Sequence, residues 1–201
     1  MERNQIIKAV QARINEVTAK NSIDVIPNGL IEQLLDSAAL SFLMTVPVKL
    51  LPKTSASPVL VANTDGTGYF PVPSDYLRLV QFIMDDWTQP VVELYVEGTL
   101  NAKLQHFKYT RGTFSKPAGI LSVDDNGLPC IYYYSTLSSV HVMSRFVYVK
   151  KELPENLPEV LIDLFAWYTC SLVLQAKEES ELSKLALDRF SSLVTQYNNA
   201  A

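Results

Sequence analysis

Apolar side chains recur at helical spacing near the start of the chain. Ile7, Val10, Ile14 and Val17 follow steps of three and four residues between charged positions, which predicts an amphipathic helix of about 18 residues. Pro-Asn-Gly at 27–29 interrupts this pattern. A second helix is predicted to follow and to end at Pro47. Its apolar stripe comprises Ile31, Leu34, Leu35, Ala38, Phe42 and Val46.

The last quarter of the chain predicts two further helices. Asn156 is a candidate N-cap with Glu159 as its capping-box partner, and the helix that they open runs to about Gln175. A polar turn at 177–181 separates it from a final helix, and 198–201 is expected to be a weakly structured polar tail. The apolar stripe of the final helix comprises Leu182, Leu185, Ala186, Phe190, Leu193, Val194 and Tyr197.

The middle of the chain has the proline spacing that is typical of an antiparallel β domain. Prolines separate short runs rich in Val, Ile, Tyr and Phe, which predict strands near 58–62, 68–72, 77–85, 91–96, 117–124, 129–136 and 140–150. Asp125-Asn126-Gly127 indicates a type I′ hairpin, and Ser138-Ser139 suggests another tight connection. The segment 98–106 fits either a short helix or a loop.

These patterns predict an α+β chain with two lobes. Short connectors make each helix pair an antiparallel hairpin, and neither hairpin buries its apolar face alone. We therefore expect a four-helix bundle from 1–46 and 152–201, with an inserted antiparallel β-sandwich or barrel-like domain at 47–151.

Composition narrows the class of protein. The 201 residues include 48% apolar residues and carry a formal charge of −4, which excludes a disordered chain. No apolar run approaches the ~20 residues of a membrane span and no signal peptide opens the chain, so no membrane partner is expected. The acidic pI of about 5.2 and scattered basic residues argue against a protein that grips duplex DNA by its backbone.

Residue types that carry catalysis are sparse. Neither histidine, His106 or His141, has a partner at metal-ligand spacing, and each is expected to be solvated or hydrogen-bonded. Cys130 and Cys170 are expected to be buried thiols without a disulfide. The acidic groups 85–86, 124–125 and 178–181 are explained by strand alternation, turn chemistry and a helix dipole. No glycine loop for nucleotides occurs, so no catalytic, metal or cofactor site is predicted.

The tyrosines of the β segment leave three interpretations open. Tyr132 and Tyr134 share one face of a strand, whereas Tyr133 takes the other. Tyrosine suits the rim of a sandwich core, a protein interface or a glycan-stacking surface.

One stretch resembles a known family. Tyr69-Phe70-Pro71-Val72-Pro73-Ser74-Asp75-Tyr76-Leu77-Arg78-Leu79 is similar to the aromatic-x-Leu-Pro-x-Asp-Phe-Leu-Arg stretch of head–tail connector (adaptor) proteins of short-tailed bacteriophages, with Val72 where Leu is usual. Segments 109–117 and 131–135 resemble ring adaptors of Bacteroidetes phages, including the portal-proximal ring protein of the crAss-like group. The order of helix pair, β insertion and helix pair agrees with the tail tubular protein A type.

The resemblance implies a structural virion protein, not an enzyme. Such adaptors form a closed ring, commonly of twelve copies, beneath the portal in the neck of the virion, after assembly in the host cytoplasm. DNA passes through the lumen without sequence-specific binding. The β lobe would face the next tail or ring protein through Tyr132 and Tyr134. The segment that would dock on the portal comprises Gln196, Tyr197, Asn198, Asn199, Ala200 and Ala201.

Two other classes of function stay open. The chain fits a monomeric binding module whose Tyr-rich β face recognises glycan or peptide. It also fits an enzyme without a recognisable motif, which a pocket joining His106 or His141 to a carboxylate would favour.

Overall fold

The computed structural model describes residues 1–19, 26–124, 126–137 and 140–200, and contacts divide the chain into two units. The helical unit comprises Met1–Pro52 and Lys151–Ala201, and the β unit comprises Lys53–Lys150. The predicted boundaries were 46/47 and 151/152. Residues 47–52 fall in the helical unit because the short 3₁₀ turn Val48–Leu50 contacts the last helix.

The fold is α+β: two N-terminal helices pack with two C-terminal helices, and two β-sheets are inserted between them in the chain. The helices are α1 (Arg3–Thr18), α2 (Asn28–Thr45), α3 (Leu100–Gln105), α4 (Ile162–Ala176) and α5 (Ser180–Ala200). The strands are β1 (Thr54–Ser55), β2 (Val61–Ala62), β3 (Gly68–Pro71), β4 (Tyr76–Met84), β5 (Tyr95–Val96), β6 (Ala118–Val123), β7 (Pro129–Tyr134) and β8 (Met143–Lys150).

Helix α4 is the centre of the helical unit. Eleven of its fifteen residues are buried, and it packs against α1, α2 and α5. Helices α1 and α2 contact α4 more extensively than they contact each other. Phe42 of α2 meets Phe165 of α4 edge to face at 5.4 Å and lies 6.2 Å from Phe190 of α5. Residues from both chain ends therefore share one core.

The burial of α4 also explains its composition. The window Glu159–Ala176 has a mean hydropathy of 1.3 and passes the length and composition test for a membrane span. A core helix passes the same test, and 67% of this window is buried inside the structure. The expectation that no apolar run approaches the length of a membrane span was therefore wrong for this window. The absence of a membrane partner stays a prediction.

The inserted strands form two sheets. The order is β1-β8-β4 in the first sheet and β2-β3-β7-β6-β5 in the second. One core cluster takes residues from both sheets, with Phe70 of β3 5.5 Å from Phe82 of β4 and 5.3 Å from Phe146 of β8. Neither sheet closes into a barrel across the described residues, so the barrel-like alternative is wrong.

Several local predictions are corrected. Strands β4, β6 and β7 lie where the apolar runs placed them, but β5 has two residues and pairs with β6 in parallel, not antiparallel. Strand β8 begins at Met143, which leaves His141 before it. Segment 98–106 contains α3, capped by the Thr99 hydroxyl. The Ser138-Ser139 connection and Asp125 of the predicted hairpin lie outside the described residues.

The C-terminal helices also differ from prediction at their ends. Asn156 does not cap the long helix: it ends the 3₁₀ turn Pro154–Asn156, and α4 begins at Ile162 after a second such turn at Glu159–Leu161. Helix α5 continues to Ala200, so the weakly structured tail was wrong for 198–200, and position 201 lies outside the described residues. Leu185 was predicted in the apolar stripe, yet it is 55% exposed.

Candidate functional site

The predicted tyrosine face lies on β7. Tyr132 and Tyr134 face away from the core cluster that contains Tyr133, which confirms their alternation. Tyr69 on the neighbouring strand β3 pairs with Tyr132, and their ring centroids are 5.2 Å apart. Tyr134 is buried whereas Tyr132 is half-buried, so one edge of this face is open to a partner.

An open cleft of about 360 Å³ lies over these two tyrosines. Its volume is within the range of small-molecule sites. The lining residues mix carboxylates, amides, one guanidinium and two phenols: Asn63, Asp65, Thr67, Glu97, Gln105, His106, Arg111, Ser122, Tyr132 and Tyr134.

A closed hydrogen-bond network forms one wall of the cleft. Arg111 donates through Nη1 to Asp65 Oδ2 and through Nη2 to the Asp65 carbonyl, each at 2.7 Å. Thr67 donates to Asp65 Oδ1 from its hydroxyl at 2.6 Å and from its backbone N–H at 3.2 Å. The Thr67 hydroxyl and the Arg111 guanidinium lower the pKa of Asp65 to about 2. Asp65 therefore stays ionised at neutral pH.

The cleft brings His106 near carboxylates, the arrangement that would favour an enzyme. His106 Nε2 lies 3.9 Å from Glu97 Oε1, and both side chains are about half exposed. A general acid or base works best with a pKa near the operating pH, and the pKa of Asp65 lies far below it. Asp65 is therefore poorly suited to proton transfer, whereas the enzyme interpretation that rests on His106 beside Glu97 stays open.

The loop after α3 is fixed by buried amide contacts. Gln105, which is buried, accepts from the Gly112 N–H at 2.7 Å and donates to the Asn101 carbonyl at 3.0 Å. Thr110 donates from its hydroxyl to the Leu104 carbonyl at 2.7 Å. The loop that follows α3 is thus held at both ends.

His141 is hydrogen-bonded, as predicted. The Tyr133 hydroxyl lies 2.6 Å from His141 Nδ1 in the β unit. Burial raises the pKa of Tyr133 to about 12. Tyr133 is fully buried, and this contact supplies a partner for its hydroxyl.

The remaining candidates have structural roles. Asp124 accepts from the backbone N–H groups of Asn126 and Leu128 at 2.9 and 2.8 Å, which confirms turn chemistry there. Cys130 and Cys170 are buried free thiols, as predicted. Across the described ranges, no group of three or more His, Cys, Asp or Glu side chains is placed to hold a metal ion.

The resembling stretch lies at the junction of β3 and β4. Asp75, between the two strands, accepts a hydrogen bond from the Tyr148 hydroxyl at 2.9 Å. The carboxylate and burial raise the pKa of Tyr148 to about 12, with burial as the larger cause. The acidic position of that stretch therefore ties its turn to β8.

The predicted docking segment at the end of α5 is helical. Tyr197 and Asn198 are half-buried, whereas Gln196, Asn199 and Ala200 are exposed. Lys49 donates to the Asn198 carbonyl from the turn before the β unit. The docking role of this segment stays a prediction.

Sequence reasoning missed the cleft because its residues are far apart in the chain. Asp65 and Arg111 are separated by 46 positions, and neither belongs to a motif. A scan against protein-family models finds no match to the chain, and a search of curated proteins finds none either.

Proposed function

We propose that the chain is a structural virion protein that forms an oligomeric ring between portal and tail and extends the DNA channel. The observation that carries the proposal is that α1 and α2 pack with α4 and α5, while a pair of sheets is inserted between the two helix pairs in the chain. This is the architecture that the resemblance of 69–79 and its neighbouring segments implies. In finer terms, we propose a four-helix bundle and a β-sandwich, since one core cluster joins the two sheets.

Exposed apolar side chains support a role in protein contacts. Val160, Leu185 and Leu187 are exposed on the helical unit, and Leu100, Phe107 and Tyr109 are exposed on the β unit. Both units thus carry apolar side chains that a partner would cover. A closed ring requires two different complementary surfaces on each copy.

The proposed assembly has commonly twelve copies in the virion neck, formed in the host cytoplasm without a membrane. The end of α5 docks on the portal, and the β unit faces the next tail or ring protein through Tyr132 and Tyr134. DNA passes through the lumen without sequence-specific contacts. No residue is assigned a catalytic role.

Assembly with the portal tests this function. The full chain is mixed with the portal protein of the same genome, and particle mass is followed by native mass spectrometry while electron microscopy images the product. We expect a ring seated on the portal. A chain that stays monomeric alone and with the portal contradicts the proposal.

The cleft favours one second candidate, a binding module for glycan or peptide. Tyr132 offers a half-buried ring beside carboxylate and amide groups, which suits a polar ligand. A glycan array followed by Tyr132→Ala and Tyr134→Ala variants tests this candidate, with Tyr109→Ala as a control outside the cleft. Binding by a monomer that the first two changes abolish supports the module over the oligomeric ring.

A further inference from the structure

Charge is distributed unevenly in the β unit. Between Glu97 and Asp124 lie Lys103, Lys108, Arg111 and Lys116, and no acidic residue. The chain as a whole is acidic, with a formal charge of −4. A basic stretch in an acidic chain marks a local site of attraction for negative charge.

Aromatic side chains project from the same stretch. We call residues 106–116 the basic-aromatic loop. Tyr109 is 96% exposed and Phe107 is 65% exposed, and Phe114 is exposed as well. Aromatic side chains are enriched at protein interfaces, and Tyr is among their frequent anchors.

Hydrogen bonds connect the basic-aromatic loop to other segments of the β unit. The Gly112 N–H donates to Gln105, and Arg111 donates to Asp65, so two hydrogen-bonded contacts hold the loop at residues 111 and 112. A loop that is ordered before binding loses less conformational entropy when a partner docks. Arg111 is engaged by Asp65, which leaves Lys108 and Lys116 as exposed cations with no carboxylate within ion-pair distance in the described part of the chain.

The chain itself carries a surface of opposite charge. The helical unit has 13 acidic and 9 basic residues, whereas the β unit has 8 of each. We call residues 152–161, which join β8 to α4, the acidic connector. It contains three glutamates and no basic residue, and Leu153 and Val160 on it are exposed.

A concave surface adjoins the acidic connector. A cavity of about 520 Å³ is lined by Met1, Gln5, Leu157 and Glu159. Glu155 is engaged by Arg3 at 2.8 Å, whereas Glu159 is exposed and lines the cavity. The exposed Leu153 and Val160, the cavity and the Glu159 carboxylate together complement a loop of aromatic and basic side chains.

We infer that the basic-aromatic loop of one copy docks on the acidic connector of a second copy. This inference rests on the proposed ring, for which it supplies the two different surfaces that a head-to-tail contact needs. Nucleic acid fits the loop less well, because a strong backbone grip uses about 6–10 phosphate contacts and this loop offers two free lysines. The bare rings of Phe107 and Tyr109 fit an apolar protein surface.

Charge reversal in the full chain tests the inference. Ring assembly, alone or on the portal, is measured by mass photometry for Lys108→Glu/Lys116→Glu, for Tyr109→Ser and for Glu159→Lys. Each change should weaken assembly about tenfold. Combining Lys108→Glu with Glu159→Lys should restore part of the loss, because the two charges exchange places.

Matched controls and further readouts separate the outcomes. Lys53→Glu reverses one lysine charge, half of the change in the double loop variant, at an exposed position outside the loop and should assemble like the wild type. Circular dichroism should show all variants folded. If the wild type assembles and the loop variants or Glu159→Lys assemble equally well, the inference is overturned but the oligomeric ring is not. The inference is also overturned if the loop variants assemble normally but lose binding to a duplex DNA oligonucleotide. A wild type that never assembles overturns the proposed function itself.

Discussion

Arg111 and Asp65 tie two distant segments of the β unit together. The guanidinium donates to both the carboxylate and the backbone carbonyl of Asp65 at 2.7 Å. Asp65 lies in the turn between β2 and β3, and Arg111 lies in the loop between α3 and β6. The pair therefore fixes the cleft wall and one branch of the basic-aromatic loop at the same time.

This pair should make stability depend on pH in the acid range. The pKa of Asp65 is about 2 in the folded chain, below its ordinary value of 3.8. A lowered pKa contributes stability above the ordinary value, and that contribution is lost as pH falls from about 4 to 2. Because the carboxylate is 54% exposed, we expect about 1 kcal/mol. Urea unfolding of wild type and Asp65→Asn from pH 6 to 2 measures it.

The free energies of unfolding of the wild type and Asp65→Asn should converge as the pH falls. Asp65→Asn should be less stable than the wild type at pH 6, and the two free energies of unfolding should approach each other near pH 2. Asp188→Asn, at an exposed position of α5, should follow the wild-type curve. A constant gap between Asp65→Asn and wild type across this range would contradict the assignment.

Gly68 should tolerate no side chain. A Cβ there would lie 2.5 Å from the Val61 carbonyl oxygen and 2.6 Å from Cζ of Tyr133, both in the packed second sheet. Gly68→Ala should lower the free energy of unfolding by about 1–3 kcal/mol. Thermal unfolding followed by circular dichroism measures the change.

Gly29 is the matched control. It lies in the first turn of α2, and a Cβ there meets nothing within 4 Å. Gly29→Ala should be neutral or stabilising by up to about 1 kcal/mol, because alanine restricts the unfolded chain and favours a helix. Equal destabilisation by the two changes would show that the close approach at Gly68 does not govern its stability.

The sequence predicted the long helices because their apolar period is strong. Ile7, Val10 and Ile14 are buried where the steps of three and four placed them. Helix ends were less accurate because caps depend on tertiary contacts: Asn156 ends a 3₁₀ turn, and α5 extends through residues that local composition marked as a tail. The parallel pairing of β5 depends on long-range neighbours and has no local signal.

The site was predictable only in part. Alternation on β7 correctly separated Tyr133 from Tyr132 and Tyr134. The cleft beside them requires Asp65, Glu97 and Arg111 to converge from three segments. One signal is present in the sequence itself, namely the stretch between Glu97 and Asp124, which holds four basic residues and no acidic residue.

Two positions of α5 should respond very differently to the same substitution. Phe190 is 4% exposed and lies 5.1 Å from the Tyr168 ring, so Phe190→Asp should destabilise the chain by about 3 kcal/mol or more. Leu185 is 55% exposed, so Leu185→Asp should change the free energy of unfolding by about 1 kcal/mol or less. This corrects the expectation from periodicity, which placed both residues in one buried stripe. Urea unfolding compares them, and a similar large loss at both positions would contradict the structure.

Removing the end of α5 should separate docking from folding. Deleting 196–201 removes the last helical turn and the carbonyl that Lys49 contacts, so a modest loss of about 1–2 kcal/mol is expected. Gln196→Ala/Asn199→Ala changes two exposed side chains and keeps the helix.

If this segment docks on the portal, both variants should bind the portal about tenfold more weakly, while the substituted chain unfolds like the wild type. Because the substitutions spare the Lys49 contact, weaker binding by them reports the docking surface itself. Unchanged binding by both variants would place the portal contact elsewhere on the chain.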